Sequence, residues 1–399
     1  MKVPMSSLCQ SRFTRPEVLA SIRPELLRRF LTPYQSYFHG GGFDVGCLDN
    51  RAGPVELTRL SDMLLTPESD IPPEVANALY AVHEVAVEEN TELLEMLASS
   101  EQVPLEPNST LLELALSLWM TAPKALKWIH LHQSCERKRA FEYFSAEGDA
   151  SSDFALSAEG IRQLEQSLAY YFKKRDWGYG CRIHHRLQQD EHWFLVSHGE
   201  RYKRQATWEE GRMGTIGFRP ERYDLIIYDT LTDELCVNAQ TPTQREHYRK
   251  LFGFYLFGRE NYFPGRSKYT LEPLLRDGAA ALFSGDIPEI ESVRLTELWY
   301  VIEDNVEEVR VHKAYDVFVA MKQHREGIPD GARLLKATFK LRYAGQSKER
   351  TLTLKPSNVA LYTRDGDGPV LEKWLHRREF IVRDRVKGHE QCEHVLAVG

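Results

Sequence analysis

The segment Asp224–Gln240 has residue types and spacing that could take part in metal-ion chemistry. An apolar run, Leu225–Tyr228, follows Asp224, and a polar turn leads into a second run that begins at Glu234. Two carboxylates on paired strands can hold Mg²⁺, a hard ion that takes oxygen ligands, and a lysine can orient the attacking water. The second run ends in Asn-Ala-Gln at 238–240, so neither a carboxylate nor a lysine stands there.

This hairpin resembles the active-site hairpin of the restriction-endonuclease-like (PD-(D/E)xK) superfamily, and the resemblance covers residues 158–257. That family carries an Asp on the first strand and Glu-x-Lys on the second, within an order of helix, strands, hairpin and helix. Because Asn238 and Gln240 replace the Glu and the Lys, the resemblance implies a degenerate core without catalysis. The alternative is an active nuclease with a migrated site at Asp224 and Glu234, and only that alternative requires Mg²⁺.

A basic and aromatic stretch follows the predicted helix over 158–174. Lys and Arg neutralise phosphates, and Trp or Tyr can stack on bases, so this mixture is typical of nucleic-acid binding. The predicted nucleic-acid-binding residues are Lys173, Lys174, Arg175, Trp177, Tyr179, Arg182, Arg201, Lys203 and Arg204, with Lys336, Lys340 and Arg342 on a later strand. The alternative interpretation is a helix C-terminus enriched in cations, followed by a solvated hairpin.

Other motifs that could carry chemistry are incomplete. His39–Phe43 reads HGGGF, as in an esterase oxyanion loop, but no G-x-S-x-G elbow follows it. Asp365–Gly368 begins like a calcium loop, yet His376 stands at the twelfth position, where a bidentate Glu is needed. The six cysteines form no CxxC, and neither a phosphate-binding glycine motif nor HExxH is present. Esterase, zinc-protease and nucleotide-hydrolase activities are therefore disfavoured.

Composition and charge divide the chain into three predicted domains. Overall it is 42% hydrophobic and 27% charged, with a net charge of −7. Residues 1–130 hold 10 Lys/Arg against 17 Asp/Glu and form an acidic helical domain; 131–290 form the nuclease-like core; 291–399 form a strand-rich module. The expected fold class is mixed, α+β or α/β. No apolar run reaches the ~20 residues that span a bilayer, and the scattered cysteines are typical of reduced thiols, so we expect a cytoplasmic protein without membrane contact.

Periodicity predicts individual elements within these domains. In the first, apolar spacing predicts one helix from Pro73 through Met96. In the core, two strands follow the helix over 158–174, and residues 211–222, rich in Gly and Arg, are expected to be a loop. In the last, Leu335–Tyr343 alternates, with its cations on one face.

The functional hypothesis is a non-catalytic subunit that binds nucleic acid, DNA by preference, and works with a protein partner in a larger complex. Bacterial anti-phage complexes offer an analogy, because they use degenerate nuclease cores as structural parts. A metal-dependent nuclease with a migrated site and a purely protein-binding scaffold are the alternatives. Metal dependence separates the first hypothesis from the nuclease, and salt-sensitive DNA binding separates it from the scaffold.

Overall fold

The computed structural model describes residues 15–50, 53–65, 72–104, 108–126, 129, 140–146, 154–209, 212–302, 307–363 and 368–382. Residues 365–367 of the incomplete calcium-loop motif lie outside these ranges. The chain forms two compact units, residues 1–134 and 135–399. The first is helical and the second combines a large antiparallel sheet with helices, which confirms the expected mixed α+β class. Within the described ranges, no helix is both long and apolar enough to cross a membrane.

The first unit packs short helices around an apolar core. Its α-helices are α1 (Pro16–Ser21), α2 (Pro24–Leu31), α3 (Gln35–Gly40), α4 (Pro54–Leu65), α5 (Pro73–Val85), α6 (Thr91–Ser100) and α7 (Leu111–Thr121). The prediction of one helix through Met96 is wrong, because Ala86 and Val87 leave the helical conformation. The buried Asn90 side chain donates to Val85 O (2.8 Å) and so satisfies a carbonyl at the end of α5.

Glu113 joins two parts of the first unit. In a capping box at the start of α7, its carboxylate accepts from Thr110 N (3.0 Å), and its own N–H donates to Thr110 Oγ1 (3.2 Å). The same carboxylate accepts from the backbone N (2.9 Å) and Nε (3.0 Å) of Arg23, just before α2. Burial alone would raise the pKa of Glu113, but the hydrogen bonds from Thr110 and Arg23 together lower it.

The second unit is built on a ten-stranded sheet whose neighbouring strands are all antiparallel, in the order β2-β3-β6-β7-β1-β12-β11-β10-β8-β9. The strands of the unit are β1 (Ala140–Ser145), β2 (Cys181–Gln188), β3 (Glu191–Gly199), β4 (Lys203–Glu209), β5 (Arg212–Phe218), β6 (Glu221–Asp229), β7 (Glu234–Asn238), β8 (Ile290–Ile302), β9 (Glu308–Lys313), β10 (Ala332–Tyr343), β11 (Arg350–Lys355) and β12 (Val359–Leu361). Strands on both sides of the predicted boundary at 290 join in this sheet, through the pairing of β1 with β12.

The helices of the second unit are α8 (Ala158–Lys173), α9 (Pro242–Phe257), α10 (Glu272–Arg276), α11 (Val317–His324) and α12 (Gly368–Arg377). The predicted helix over 158–174 is thus confirmed to within one residue. Helices α8 and α9 share a core with β2, β3, β6 and β7, in which Leu168 and Phe252 lie against Phe194 and Ile226. This packing brings the C-terminal end of α8 beside β2 and β3.

Strands β4 and β5 form a separate two-stranded antiparallel sheet, which we call the arm. The prediction of a loop over 211–222 is therefore wrong. The glycines of β5, Gly214 and Gly217, disfavour a strand in isolation, but cross-strand pairing decides the conformation. Trp208 pairs with Met213, Ala206 with Thr215, and Arg204 with Gly217.

The hydrogen bonds of Glu113 predict a pH-dependent stability. Its pKa is lower in the folded than in the unfolded chain, so its carboxylate stabilises the fold above the unfolded pKa, and this is lost as pH falls through the folded pKa. We expect Glu113→Gln to lower the free energy of unfolding at pH 7 by about 1–3 kcal/mol. The difference from wild type should shrink below about pH 4. Urea unfolding followed by circular dichroism at several pH values measures it.

The matched control is Glu95→Gln, because Glu95 is exposed on the same unit. That variant should unfold like wild type at every pH. A destabilisation by Glu113→Gln that is equally large at pH 7 and pH 3 would contradict the assigned role of the carboxylate.

Candidate functional site

A cleft of about 700 Å³ opens where the end of α8 meets β2 and β3. Residues that line it include Arg162, Glu165, Trp177, Tyr179, Arg182 and Arg219. Three of the residues predicted from the sequence, Trp177, Tyr179 and Arg182, are therefore brought together here. Arginines and aromatic rings in one concave site give it both positive charge and stacking surface.

The loop between α8 and β2, residues 174–180, forms one wall of the cleft. The N–H of Trp177 donates to Phe172 O (3.0 Å), which turns the chain back onto the helix end. Gly199 at the end of β3 allows the loop to come close, because a Cβ there would lie 2.4 Å from Trp177 O. Gly178 has φ +91°, a conformation that residues with side chains rarely adopt. These contacts place Trp177 and Tyr179 beside β3.

Three consecutive cations at the end of α8 lie over tyrosine rings. The distances to the ring centroids are 5.4 Å for Lys173 over Tyr179, 4.4 Å for Lys174 over Tyr170 and 3.6 Å for Arg175 over Tyr171. Lys173 and Lys174 are exposed, whereas Arg175 is half-buried. Cation–π contact holds a side chain without neutralising its charge. The two lysines therefore present positive charge next to the cleft wall.

Two arginines of the cleft differ in how strongly carboxylates hold them. The Arg182 side chain is 77% exposed, and its Nη1 lies 3.7 Å from Glu165, too far for a hydrogen bond. Arg219 instead donates to the backbone carbonyl (2.5 Å) and the Oδ1 (3.0 Å) of Asp176. Arg219 therefore fastens the loop 174–180 to the base of the arm, while Arg182 remains available to a ligand.

The predicted cations Arg201, Lys203 and Arg204 lie at the base of the arm and do not line the cleft. Arg201 is exposed. Lys203 forms an ion pair with Glu200 (2.5 Å), and Arg204 donates to Thr215 Oγ1 across the arm (3.2 Å).

The predicted cations of β10 lie in another part of the sheet, and carboxylates partly neutralise them. Lys336 Nζ is 3.1 Å from Glu297, a carboxylate that Lys313 also approaches at 3.4 Å. Arg342 lies 3.5 Å from Glu349, which Arg294 binds at 2.6 Å. Lys340 donates to Thr351 Oγ1 (2.8 Å). The structure therefore does not bring this set to the cleft.

Beneath the cleft, Asp224 is fully buried. Its Oδ2 accepts hydrogen bonds from His198 Nε2 (2.9 Å), Tyr248 OH (2.9 Å) and Gln244 Nε2. Its Oδ1 lies 3.5 Å from Arg222 Nε and accepts no hydrogen bond among the described residues. A buried carboxylate needs such donors, because an uncompensated charge in an apolar core costs several kcal/mol (roughly 3–5).

His198 forms the other half of a buried ion pair. Its Nδ1 lies 2.8 Å from Gly199 O and its Nε2 lies 2.9 Å from Asp224 Oδ2. Because a carbonyl and a carboxylate only accept hydrogen bonds, we infer from these distances that both ring nitrogens donate and that the ring carries a positive charge. The ring stacks against Phe172 (4.0 Å between centroids) and near Trp177 (5.6 Å). The pair thus links the core to the cleft wall.

Cys181 stands opposite His198 in the pairing of β2 with β3, which suggests a thiol–imidazole couple. Two observations argue against it. Burial, with smaller effects from the nearby Glu165 and Asp224 carboxylates, raises the pKa of the Cys181 thiol far above its usual value. In addition, both nitrogens of His198 are already engaged as donors, so no ring nitrogen can accept the thiol proton.

Asp224 and Glu234, the two residues of the alternative nuclease site, lie on opposite faces of the sheet. Leu225 pairs with Asn238 and Asp229 pairs with Glu234, so Asn238 and Glu234 face away from Asp224. Glu234 is bound to Lys268 Nζ at 2.5 Å. Across the described ranges, no three His, Cys, Asp or Glu side chains are grouped so that they could hold a metal ion.

Sequence reasoning missed Arg162 and Arg219 in the cleft and the partners of Asp224 beneath it. A signal for two of those partners exists, since Gln244 and Tyr248 lie four residues apart on the buried stripe of α9 that continues to Phe252. A polar residue on an apolar stripe needs a polar partner. The sequence gives no such signal for His198, because its contact with Asp224 is set by the register of β3 against β6.

The buried pair predicts a large stability effect. Asp224→Ala should lower the free energy of unfolding by about 3–5 kcal/mol, because it leaves the His198 charge and the Tyr248 and Gln244 donors unpaired in the core. Asp330→Ala, at an exposed position of the same unit, should change it by less than about 0.5 kcal/mol. Urea unfolding at pH 7 measures both. An increase in stability on removing the Asp224 carboxylate would contradict a structural role and point to a strained functional carboxylate.

Comparison of the sequence with protein families and curated proteins gives no relative. The resemblance of 158–257 to restriction-endonuclease-like cores therefore stays a prediction, and we infer the function from the residues of the cleft.

Proposed function

We propose that the second unit binds nucleic acid as a non-catalytic part of a larger assembly. The observation that carries the proposal is that the exposed Tyr179 and Arg182 line one cleft, while the exposed Lys173, whose ammonium lies over the Tyr179 ring, and Lys174 stand beside its wall. Cations neutralise phosphates and release their counterions, while an aromatic ring stacks on a base of any sequence. The group therefore offers the two kinds of contact that a nucleic-acid strand needs.

Tyr179 is the residue best suited to contact a base. Its side chain is 78% exposed, and it lies in the cleft wall with Lys173 Nζ 5.4 Å from its ring centroid. A base stacked on this ring would bring its neighbouring phosphates towards Lys173 and Arg182. Such contacts do not require a particular pattern of base edges, so we expect affinity with little sequence preference.

Ion pairing distinguishes Lys173 and Lys174 from Lys336 and Arg342. Within the described ranges, Lys173 and Lys174 have no carboxylate at ion-pair distance, whereas Lys336 and Arg342 do. A cation that already has a carboxylate partner must give up that partner or share it with a phosphate. Lys173 and Lys174 bind a phosphate without this cost, so we assign them the larger part of the affinity.

The environment of Asp224 supports the non-catalytic part of the proposal. Metal-assisted hydrolysis needs carboxylates that converge on one ion with open positions. Asp224 is turned into the core, and Glu234, on the other face, is bound by Lys268. On this proposal, any chemistry on the bound nucleic acid belongs to a partner protein.

The proposal predicts that substituting the cleft cations weakens binding. Lys173→Gln, Lys174→Gln and Arg182→Gln together should reduce affinity for labelled DNA at low salt by about tenfold or more. The slope of log affinity against log salt should flatten by about 0.9 for each phosphate that the variant no longer neutralises. Fluorescence anisotropy across a salt series measures both. Arg175 is left unchanged, because its guanidinium packs on Tyr171 and is half-buried.

The matched control carries the same change in charge at exposed positions away from the cleft: Lys322→Gln, Lys348→Gln and Lys355→Gln. Equal reductions in affinity for the two triple variants would show attraction by net charge alone and contradict the cleft assignment. DNA incubated with Mg²⁺ or Mn²⁺ should stay intact. Cleavage that EDTA abolishes would contradict the non-catalytic part.

A further inference from the structure

The arm, β4 and β5, is the most exposed regular structure of the second unit. All seven residues of β5 are exposed, and the arm pairs only within itself, apart from the ten-stranded sheet. A two-stranded ribbon that buries neither face is marginal in water by itself. An arm of this kind therefore gains its stability at the base or from a partner.

The base of the arm is firmly held. Glu200 N donates to Pro220 O (2.8 Å), which closes the two chain segments where they leave the sheet. The Glu200 carboxylate accepts from both Lys203 and Arg222 (2.9 Å), and these hydrogen bonds lower the pKa of Glu200. Arg222 in turn lies 3.5 Å from buried Asp224. The base is thus tied to the core, and a ligand on the arm would be held beside the cleft.

One face of the arm carries two large apolar side chains at the end where β4 leads into β5. Trp208 and Met213 are cross-strand partners there, and they are 70% and 84% exposed. Towards the base, the same face carries Arg204, which stands opposite Gly217. Tyr202 lies against Gly217, since a Cβ on that glycine would overlap its hydroxyl. Exposed apolar side chains paired in this way indicate a surface that a partner covers.

The charge of the arm indicates the kind of partner. Residues 200–219, the arm with its base, hold five Lys/Arg and three Glu, a local charge of +2 in a chain whose net charge is −7; Lys203 and Arg219 pair there with Glu200 and Asp176. A ribbon with a positive local charge is complementary to a polyanion, even on a protein whose net charge is negative.

We infer that the arm enters the major groove of duplex DNA, with Trp208 and Met213 leading; this inference rests on the proposed nucleic-acid binding. The groove is about 12 Å wide and admits a two-stranded β-ribbon. Seven residues per strand give the arm a length of about 23 Å, comparable to the diameter of the duplex. Arg204 shares the face of the apolar pair and Arg212 lies on the opposite face. In the groove the apolar pair then contacts the floor, where thymine presents a methyl group, with Arg204 beside the base edges and Arg212 towards the phosphates.

The test compares a duplex with a single strand of the same sequence, using the full chain. Trp208→Ala with Met213→Ala should weaken duplex binding by about tenfold or more and leave single-strand binding within about twofold. The matched control, Leu231→Ala with Val319→Ala, removes exposed apolar side chains elsewhere on the unit and should bind both DNAs like wild type. Because the arm side chains are exposed, the thermal midpoint of the arm variant should equal that of wild type, and light scattering should give the same mass.

Unchanged duplex binding by the arm variant would overturn the inference, and so would an equal reduction on duplex and single strand. A drop in mass for the arm variant with unchanged duplex binding would overturn it as well and make a second copy of the chain the occupant. In each of these cases the wild-type protein still binds DNA, so the proposed function stands. If the wild-type chain binds neither DNA, the proposed function itself fails.

Discussion

The ion pair between Asp224 and His198 is the constraint on which the functional half of the molecule depends. A charged carboxylate lies in the core shared by α8, α9 and four strands, and it is tolerated only because four side chains converge on it. The same contacts extend outward in two directions. Through the ring of His198 they reach Trp177 and the cleft, and through Arg222 they reach Glu200 and the base of the arm.

This arrangement gives the molecule a rigid support beneath two exposed elements. The cleft wall is fixed by the close approach of Trp177 to Gly199, and the arm is fixed by the carboxylate of Glu200. Arg219 connects the two, since it belongs to the arm base and binds Asp176 in the cleft loop. A ligand that contacts both elements would meet surfaces whose relative position is already set, and binding would cost it less entropy.

The local sequence pattern was sufficient to predict those helices and strands whose buried residues recur with the period of the element. The hairpin around Asp224 and helix α8 occur where the apolar runs and the helical spacing predict them. The arm could not be predicted, because the glycines lower the strand propensity of β5 and its conformation depends on pairing with β4. The break between α5 and α6 was missed for a similar reason, since it depends on the buried Asn90 side chain. The His198–Asp224 pair depends on register between strand positions 26 residues apart, which a single sequence does not carry.

Our central hypothesis is that the Asp224 carboxylate is fully engaged in an internal ion pair and takes no part in catalysis. Nitrogen-15 NMR of the histidine rings in the full chain, with the His198 signal assigned by its disappearance in His198→Gln, tests it most directly. At neutral pH we expect both ring nitrogens of His198 to be protonated and Asp224→Asn to change this state. A neutral His198 ring with one unprotonated nitrogen would contradict the ion pair and make Asp224 a candidate catalytic group again.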